Sequence, residues 1–240
     1  MSGTAVTTPA IAAVTAPVTA LAIDTTSHFL SLALMKEGRP AAWHYSAAGT
    51  GMTRTMLRVI DGLMREAGIA PEHLDLIIAA RGPGSFTGTR IGLALARTFA
   101  QVRRLPLIGV DTLALLAAQA EPQDGLRFHA VLNCTRDEVY HAPFRWGDDG
   151  PEALGEIAVS TFASLPEQIG AEPVVLRRFP PEQPGHEAAV AALRRLPLRH
   201  PHPDAALLLE RGMRIFRAGA PFPPAEPIYL KPEAFRKWKP

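Results

Sequence analysis

Residues 82–92 read Gly82-Pro83-Gly84-Ser85-Phe86-Thr87-Gly88-Thr89-Arg90-Ile91-Gly92, and they restrict the fold of this chain more than any other stretch. The apolar run Leu74–Ala80 before them reads as a short buried strand, and Ile91–Ala100 after them reads as a helix. Strand, tight turn and helix in that order need backbone conformations that most residues resist. Gly82, Gly84 and Gly88 permit them, and Pro83 fixes one more dihedral. Such a turn presents backbone N–H groups at a helix N-terminus, where an anion or a polar partner is favoured. No Gly-Lys-Ser/Thr follows at the spacing of the common phosphate loop. Ser85 sits where a nucleophile could stand, but the flanking glycines of a nucleophile elbow are here Pro83 and Thr87. Hydrogen bonds from Ser85 and Thr87 to the free N–H groups of the helix start are the simpler role.

The segments around this turn extend the pattern. Val18–Asp24, Phe29–Lys36 and Ala41–Ser46 read as an antiparallel meander. Thr53–Ala67 places Met56, Leu57, Ile60, Leu63 and Met64 at helical spacing. A second helix spans Thr89–Val102, followed by a strand at Leu107–Val110 and a short helix at Leu113–Ala120. Phe128–Asn133 and Glu138–Phe144 read as paired strands that begin a second half. Residues 145–152 and 178–186 read as loops, Phe162–Ile169 and Glu187–Leu196 as short helices, and Pro173–Arg177 as a strand. Asp204 is placed to cap a helix over Ala205–Ala218.

Composition narrows the class. With 47% hydrophobic residues among 240, the chain can bury a sizeable core, so global disorder is excluded. A net charge of +2 does not by itself point to nucleic acid. The lone Cys134 rules out an intramolecular disulfide and fits a reducing compartment. Residues 1–18 hold no Lys or Arg and are broken by Pro9 and Pro17, which reads as a disordered tail rather than an export signal. No unbroken apolar stretch reaches membrane-spanning length, so a cytoplasmic protein with no membrane contact is expected.

Four segments carry a family resemblance: Leu21–Thr26 with Leu30–Leu34, the 82–100 turn and helix, Leu107–Leu113, and Ala225-Glu226-Pro227-Ile228-Tyr229-Leu230-Lys231. Together they resemble the TsaB (YeaZ, glycoprotease-like) family of bacterial tRNA threonylcarbamoyladenosine modification. The likeness is strong over about residues 19–145, thin from about 146 to 220, and returns at the end. It implies an α/β, two-lobed actin-like (ribonuclease H-like) fold with a degenerate second lobe. The expected division is a tail at 1–18, a first lobe at 19–125, a second lobe at 126–202, and a helix and tail at 203–240 packing back on the first lobe.

The chemistry of that superfamily can be sought residue by residue. Asp24 sits where actin-like phosphotransferases place a carboxylate near a metal-bound phosphate. It equally suits a turn cap through the N–H groups of Thr26 and Ser27. Asp24, Thr25, Gly82, Gly84 and Ser85 thus form a possible vestigial nucleotide loop. The second-half turn has Asn133 where the family usually has Asp, and no Gly-Gly pair is present for an adenosine. A zinc-protease helix fails because His186-Glu187 lacks its second histidine. His200-Pro201-His202, the nearest histidine pair, lies in a Pro-rich loop. The catalytic paralogue TsaD carries two histidines four apart on its first helix, where this chain has Met52 and Met56. No catalytic residue, metal or tightly bound cofactor is therefore expected; ATP would be used by the complex through its partners.

What remains is surface. The resemblance implies that the two first-lobe helices pair with TsaD and can self-associate into a homodimer. Met52, Met56, Ile60, Leu63, Arg90, Leu93, Ala96, Arg97 and Ala100 are the candidate contacts. TsaE is implied as a further partner, and any tRNA contact as indirect or weak. The basic, aromatic tail from Tyr229 to Pro240 reads as a solvated end or a weak RNA contact. A small-molecule kinase or ATPase of the same superfamily is the alternative.

Overall fold

The computed structural model describes residues 17–47, 52–121, 123–134, 137–177, 190–199, 204–219 and 221–230. The first sheet is built from β1 (Ala20–Asp24), β2 (Phe29–Lys36), β3 (Arg39–Ala47), β4 (Leu76–Ala80) and β5 (Leu107–Val110), in the order β3-β2-β1-β4-β5. β1 and β4 are buried over their whole length because helices cover both faces, which explains their unbroken apolar runs. α1 (Met52–Glu66) and α2 (Phe86–Arg103) cover one face, where Leu21, Ile23 and Ile77 meet Met56, Ile60, Leu93 and Ala96. The other face packs Ala20, Ala22 and Ile78 against Leu208 and Met213. These come from a helix that returns from the far end of the chain, Ala205–Ala218. Its Asp204 cap accepts from the Ala206 N–H at 2.8 Å.

The second sheet comprises β6 (Arg127–Asn133), β7 (Glu138–Gly147), β8 (Gly150–Ala153), β9 (Ala158–Thr161) and β10 (Val174–Arg177). It runs β10-β6-β7-β8, with β9 also on β7. In both sheets a central strand has an antiparallel neighbour on one side and a parallel one on the other: β2-β1-β4 and β7-β6-β10. That repeat is the two-lobed actin-like α/β fold, and the ends of β4 and β10 are equivalent places in it. α3 (Thr112–Ala117) buries Leu113 and Leu116 against Phe128, Leu132, Phe144 and Val175 of the second sheet. α4 (Leu165–Ile169) covers its opposite face, and the helix Ala205–Ala218 is α5.

Several expectations need correction. Residues 145–152 are not a loop: β7 continues to Gly147 and turns into β8, with Trp146 opposite Pro151 and Gly150 at φ +108°. The Gly and Asp residues marked a hairpin turn, and its flanks lacked the alternation that identifies strands. β9 also went unanticipated; it is four residues long and only Ser160 in it is buried. α2 begins at Phe86, ahead of Thr89, because Ser85 caps it. Val18 is not tail but buried, with its carbonyl accepting from the Gly38 N–H. Residues 1–16, the loop 178–186 and the first three residues of the expected helix Glu187–Leu196 lie outside the described residues; of the rest only Val190 and Ala191 are helical, and Arg195 instead bridges Val174 of β10. No helix among the described residues is long and apolar enough to cross a membrane.

Candidate functional site: the glycine turn, the interlobe cleft and the helix pair

At the end of β1 the chain turns through Asp24-Thr25-Thr26. The Asp24 carboxylate accepts from the Thr26 N–H at 2.9 Å and from the Thr26 hydroxyl at 2.7 Å. This is the turn-cap role, made through Thr26; the Ser27 hydroxyl instead accepts from the Phe29 N–H. The glycine turn presses directly onto these residues. The Ser85 N–H donates to the Thr26 carbonyl at 2.7 Å, and the Thr25 hydroxyl donates to the Gly88 carbonyl at 2.8 Å. A Cβ on Gly84 would stand 2.2 Å from the Thr26 carbonyl oxygen, and one on Gly88 2.1 Å from that of Thr25. Gly84 and Gly88 are therefore required for contact between two turns of this chain. Ser85 caps α2, its hydroxyl accepting from the Gly88 N–H at 3.2 Å.

Asp24 is buried, and burial raises its pKa above the ordinary carboxylate value; the Thr26 bonds and the charge of Arg177 oppose that rise. Arg177 ends β10 and is 5% exposed. Burial lowers its guanidinium to about 10, while Asp24, Tyr45 and Asp204 hold it up. It also donates to the Gln119 side-chain oxygen. A cation from the second sheet thus faces the one carboxylate that a phosphotransferase reading would use. Arg177 escaped the sequence reading; its only signal was a charge ending the apolar run Val174-Val175-Leu176.

Between the lobes lies a cleft of about 320 Å³, walled by Thr26, Ser85 and Phe86 on one side and Asn133, Cys134 and Tyr140 on the other. Ile228 and Tyr229 close it. They belong to a strap, residues 221–230, that runs along the edge of β5. The Gly109 N–H donates to the Pro223 carbonyl, and the Ile228 N–H to that of Arg81. Ala225 is buried in the first core. Tyr229 is exposed but belongs to this held strap rather than to a loose end; residues 231–240 lie outside the described residues. Among the described residues no three His, Cys, Asp or Glu side chains are placed to hold a metal. His186, Glu187 and the His200–His202 pair lie outside them.

The helix pair divides the candidate contacts. Met56, Ile60, Leu63, Leu93, Ala96 and Ala100 are buried in the first core of this chain, so they are not surface. Met56, Ile60, Leu63 and Met64 make one ordinary core-facing stripe. Met52 is half-buried. Arg90 and Arg97 are exposed yet occupied by the strap. The Arg90 guanidinium lies 3.6 Å from the Phe86 ring centre and donates to the Tyr229 hydroxyl at 2.7 Å. Arg97 donates to the Ala225 carbonyl at 3.1 Å and lies 3.8 Å from Glu226. The large apolar residues exposed on the two helices are Leu57 on α1, 46%, Val102 on α2, 75%, and Phe86 at the start of α2, 43%, beneath Arg90. Leu57 and Phe99 flank a groove of about 580 Å³ beside the two helices.

Comparison with known proteins agrees with this architecture. The family model for tRNA N6-adenosine threonylcarbamoyltransferase (TsaD) matches residues 47–178, more than half of the chain. The tRNA threonylcarbamoyladenosine biosynthesis protein TsaB of Bacillus subtilis is 33% identical over 128 residues, 53% of this chain and 56% of its own length. TsaB of Escherichia coli is 34% identical over 131 residues, 54% and 56% of the two chains. The chain thus spans about half the length of the curated relatives it matches. A solved Pseudomonas aeruginosa protein, described as similar to the peptidase YeaZ, superimposes with a TM-score of 0.72. It is 27% identical, with 89% of this chain and 100% of that one covered. With the repeated sheets, the glycine turn seated on the β1 turn, and these relatives in view, the chain belongs to the threonylcarbamoyltransferase-related family, in its TsaB (YeaZ) branch.

Proposed function

We propose that this chain is a non-catalytic activating subunit in tRNA threonylcarbamoyladenosine biosynthesis, docking on TsaD through the outer faces of α1 and α2. The observation that carries the reading is the groove beside those helices, flanked by Leu57 and Phe99, with Val102 exposed on the same helix as Phe99. Open apolar side chains beside a groove are what a helical partner buries. The absence of catalytic work in this chain is supported by Asp24, which is buried, bonded twice to Thr26 and faced by Arg177. ATP then acts through partners, TsaE among them, in the cytoplasm. Self-association through the same helices and any weak tRNA contact belong to the same proposal.

Threonylcarbamoylation of tRNA by TsaD and TsaE, with ATP and the activated threonyl donor, tests it with and without this chain. Strict dependence on the chain is expected. Leu57→Glu combined with Val102→Glu should abolish co-elution with TsaD while leaving the circular dichroism unchanged. Full modification without the chain would end the proposal. Tight ATP binding by the isolated chain, lost in Asp24→Ala, would put a kinase in its place.

A further inference from the structure

A second interlobe cavity, of about 500 Å³, lies across the strap from the cleft at Thr26, and neither the family likeness nor the docking surface uses it. Its walls are apolar, from Leu113 and Ala114 on α3, Ala142 and Phe144 on β7, and Ile215 on α5. Two guanidiniums, Arg81 and Arg211, and two carboxylates, Asp111 and Glu156, stand among them. Arg81 donates through Nε to Asp111 at 2.5 Å and through Nη1 to the Pro224 carbonyl at 3.3 Å. Arg211 projects from α5, and its one hydrogen bond among the described residues is to the Pro151 carbonyl at the long distance of 3.5 Å. Burial lowers its pKa; Asp111 opposes the shift and Arg214 adds to it. Arg214 itself is engaged by Glu210 and the Asp149 carbonyl. Glu156 also lines the cavity, but it is exposed to solvent at the rim. Asp111 is taken up by Arg81 and Glu156 stands at the rim, so among the described residues Arg211 is in contact with no carboxylate while it borders an apolar wall.

We infer that this cavity binds a small monocarboxylate with an apolar body, its carboxylate on Arg211 and its hydrocarbon against Phe144 and Ile215. A guanidinium that no carboxylate contacts calls for one negative charge. The fork of donors on a guanidinium fits a carboxylate in two-point contact. The volume lies in the range of small-molecule sites, and its walls favour hydrocarbon over a fully hydrated ion such as inorganic phosphate. The elements that line it come from both sheets and from the strap, so an occupant would tie the two lobes together. This inference stands whether or not the chain docks on TsaD.

Calorimetric titration of the full chain with hexanoate, hexanol and inorganic phosphate separates the contributions. Hexanoate should bind measurably by about 1 mM, with hexanol and phosphate at least about tenfold weaker, since each lacks one half of the recognition. Arg211→Met should lower hexanoate affinity by about tenfold, to the level of hexanol. Ala153→Trp, at an exposed position lining the same cavity, should block binding without touching the charges. Thermal unfolding of wild type provides a check independent of any variant's folding: hexanoate should raise the midpoint and hexanol should not. Equal binding of hexanol and hexanoate, tighter binding of phosphate, or no binding of hexanoate at about 10 mM would each overturn the inference.

Discussion

The ends of β4 and β10 are the same place in two copies of one design, and the chain has filled them in opposite ways. After β4 the backbone is stripped of side chains so that Gly84 and Gly88 can lie against Thr25 and Thr26. At the end of β10 stands Arg177, a long cation whose charge is set against Asp24 of the other sheet. One end closes by backbone contact, the other by a buried charge. The sheets behind them differ in the same sense. The first is sandwiched between two apolar layers. The second buries polar groups beneath α4: the His129 and His141 rings lie 5.7 Å apart, His141 bonds Ser160 at 2.8 Å, and His129 sits 3.2 Å from Glu172. A half held by shape resists pH and fails on added volume. The second sheet also lies between two apolar clusters, and its buried histidines add a sensitivity to pH.

The largest expected effect is on the backbone contact. Gly88→Ala puts a methyl group where the Thr25 carbonyl oxygen stands, and because backbone cannot swing aside the cost should reach about 3 kcal/mol in urea unfolding. A loss below about 0.5 kcal/mol would show that the two turns do not hold each other. Next comes the charge at β10. Arg177→Met removes the cation facing a buried carboxylate and should destabilise by about 2–3 kcal/mol. Asp24→Asn in the same chain should return about 1 kcal/mol of that loss, and strict additivity of the two changes would mean the groups do not interact. The smallest effect is on pH. Burial lowers the pKa of His129, with Glu172 opposing, and lowers that of His141, with His129 adding to the shift. For a histidine whose folded value is depressed, the unfolded chain takes up the proton first. Stability should therefore decline as pH falls below the ordinary value near 6.5 and continue to do so down through the folded values. His141→Gln should flatten that decline by about 1 kcal/mol in midpoints compared at two pH values, and an unchanged slope would move the acid sensitivity elsewhere.

The first sheet was legible because its signals are local. Apolar runs mark β1, β2 and β4, and the glycines mark the turn. In the second half β6, most of β7 and the short apolar β10 were read, but β8 and β9, four residues each with few apolar positions, were missed because they owe their place to pairing with β7. The cap of α5 at Asp204 was visible from one residue. The influence of the Arg177 charge on Asp24 was not, since 153 positions separate them and no pattern links the two. Burial was the other blind spot. Helical spacing shows that Met56, Ile60 and Ala96 share a face with their neighbours, but only the sheet beneath decides that this face is the interior.

The strap has a consequence for the order in which the protein is made. Strands β1 to β5 are all synthesised by residue 110, yet α5 and the strap at residues 205–230 cover one face of that sheet and line its β5 edge. A nascent chain therefore carries the first sheet with an uncovered apolar face and an open edge until the last of these segments leaves the ribosome. Chaperone engagement should be densest in that interval, and variants that weaken the hold of Arg90 or Arg97 on the strap should show their defect first as loss during expression rather than as loss of the finished fold.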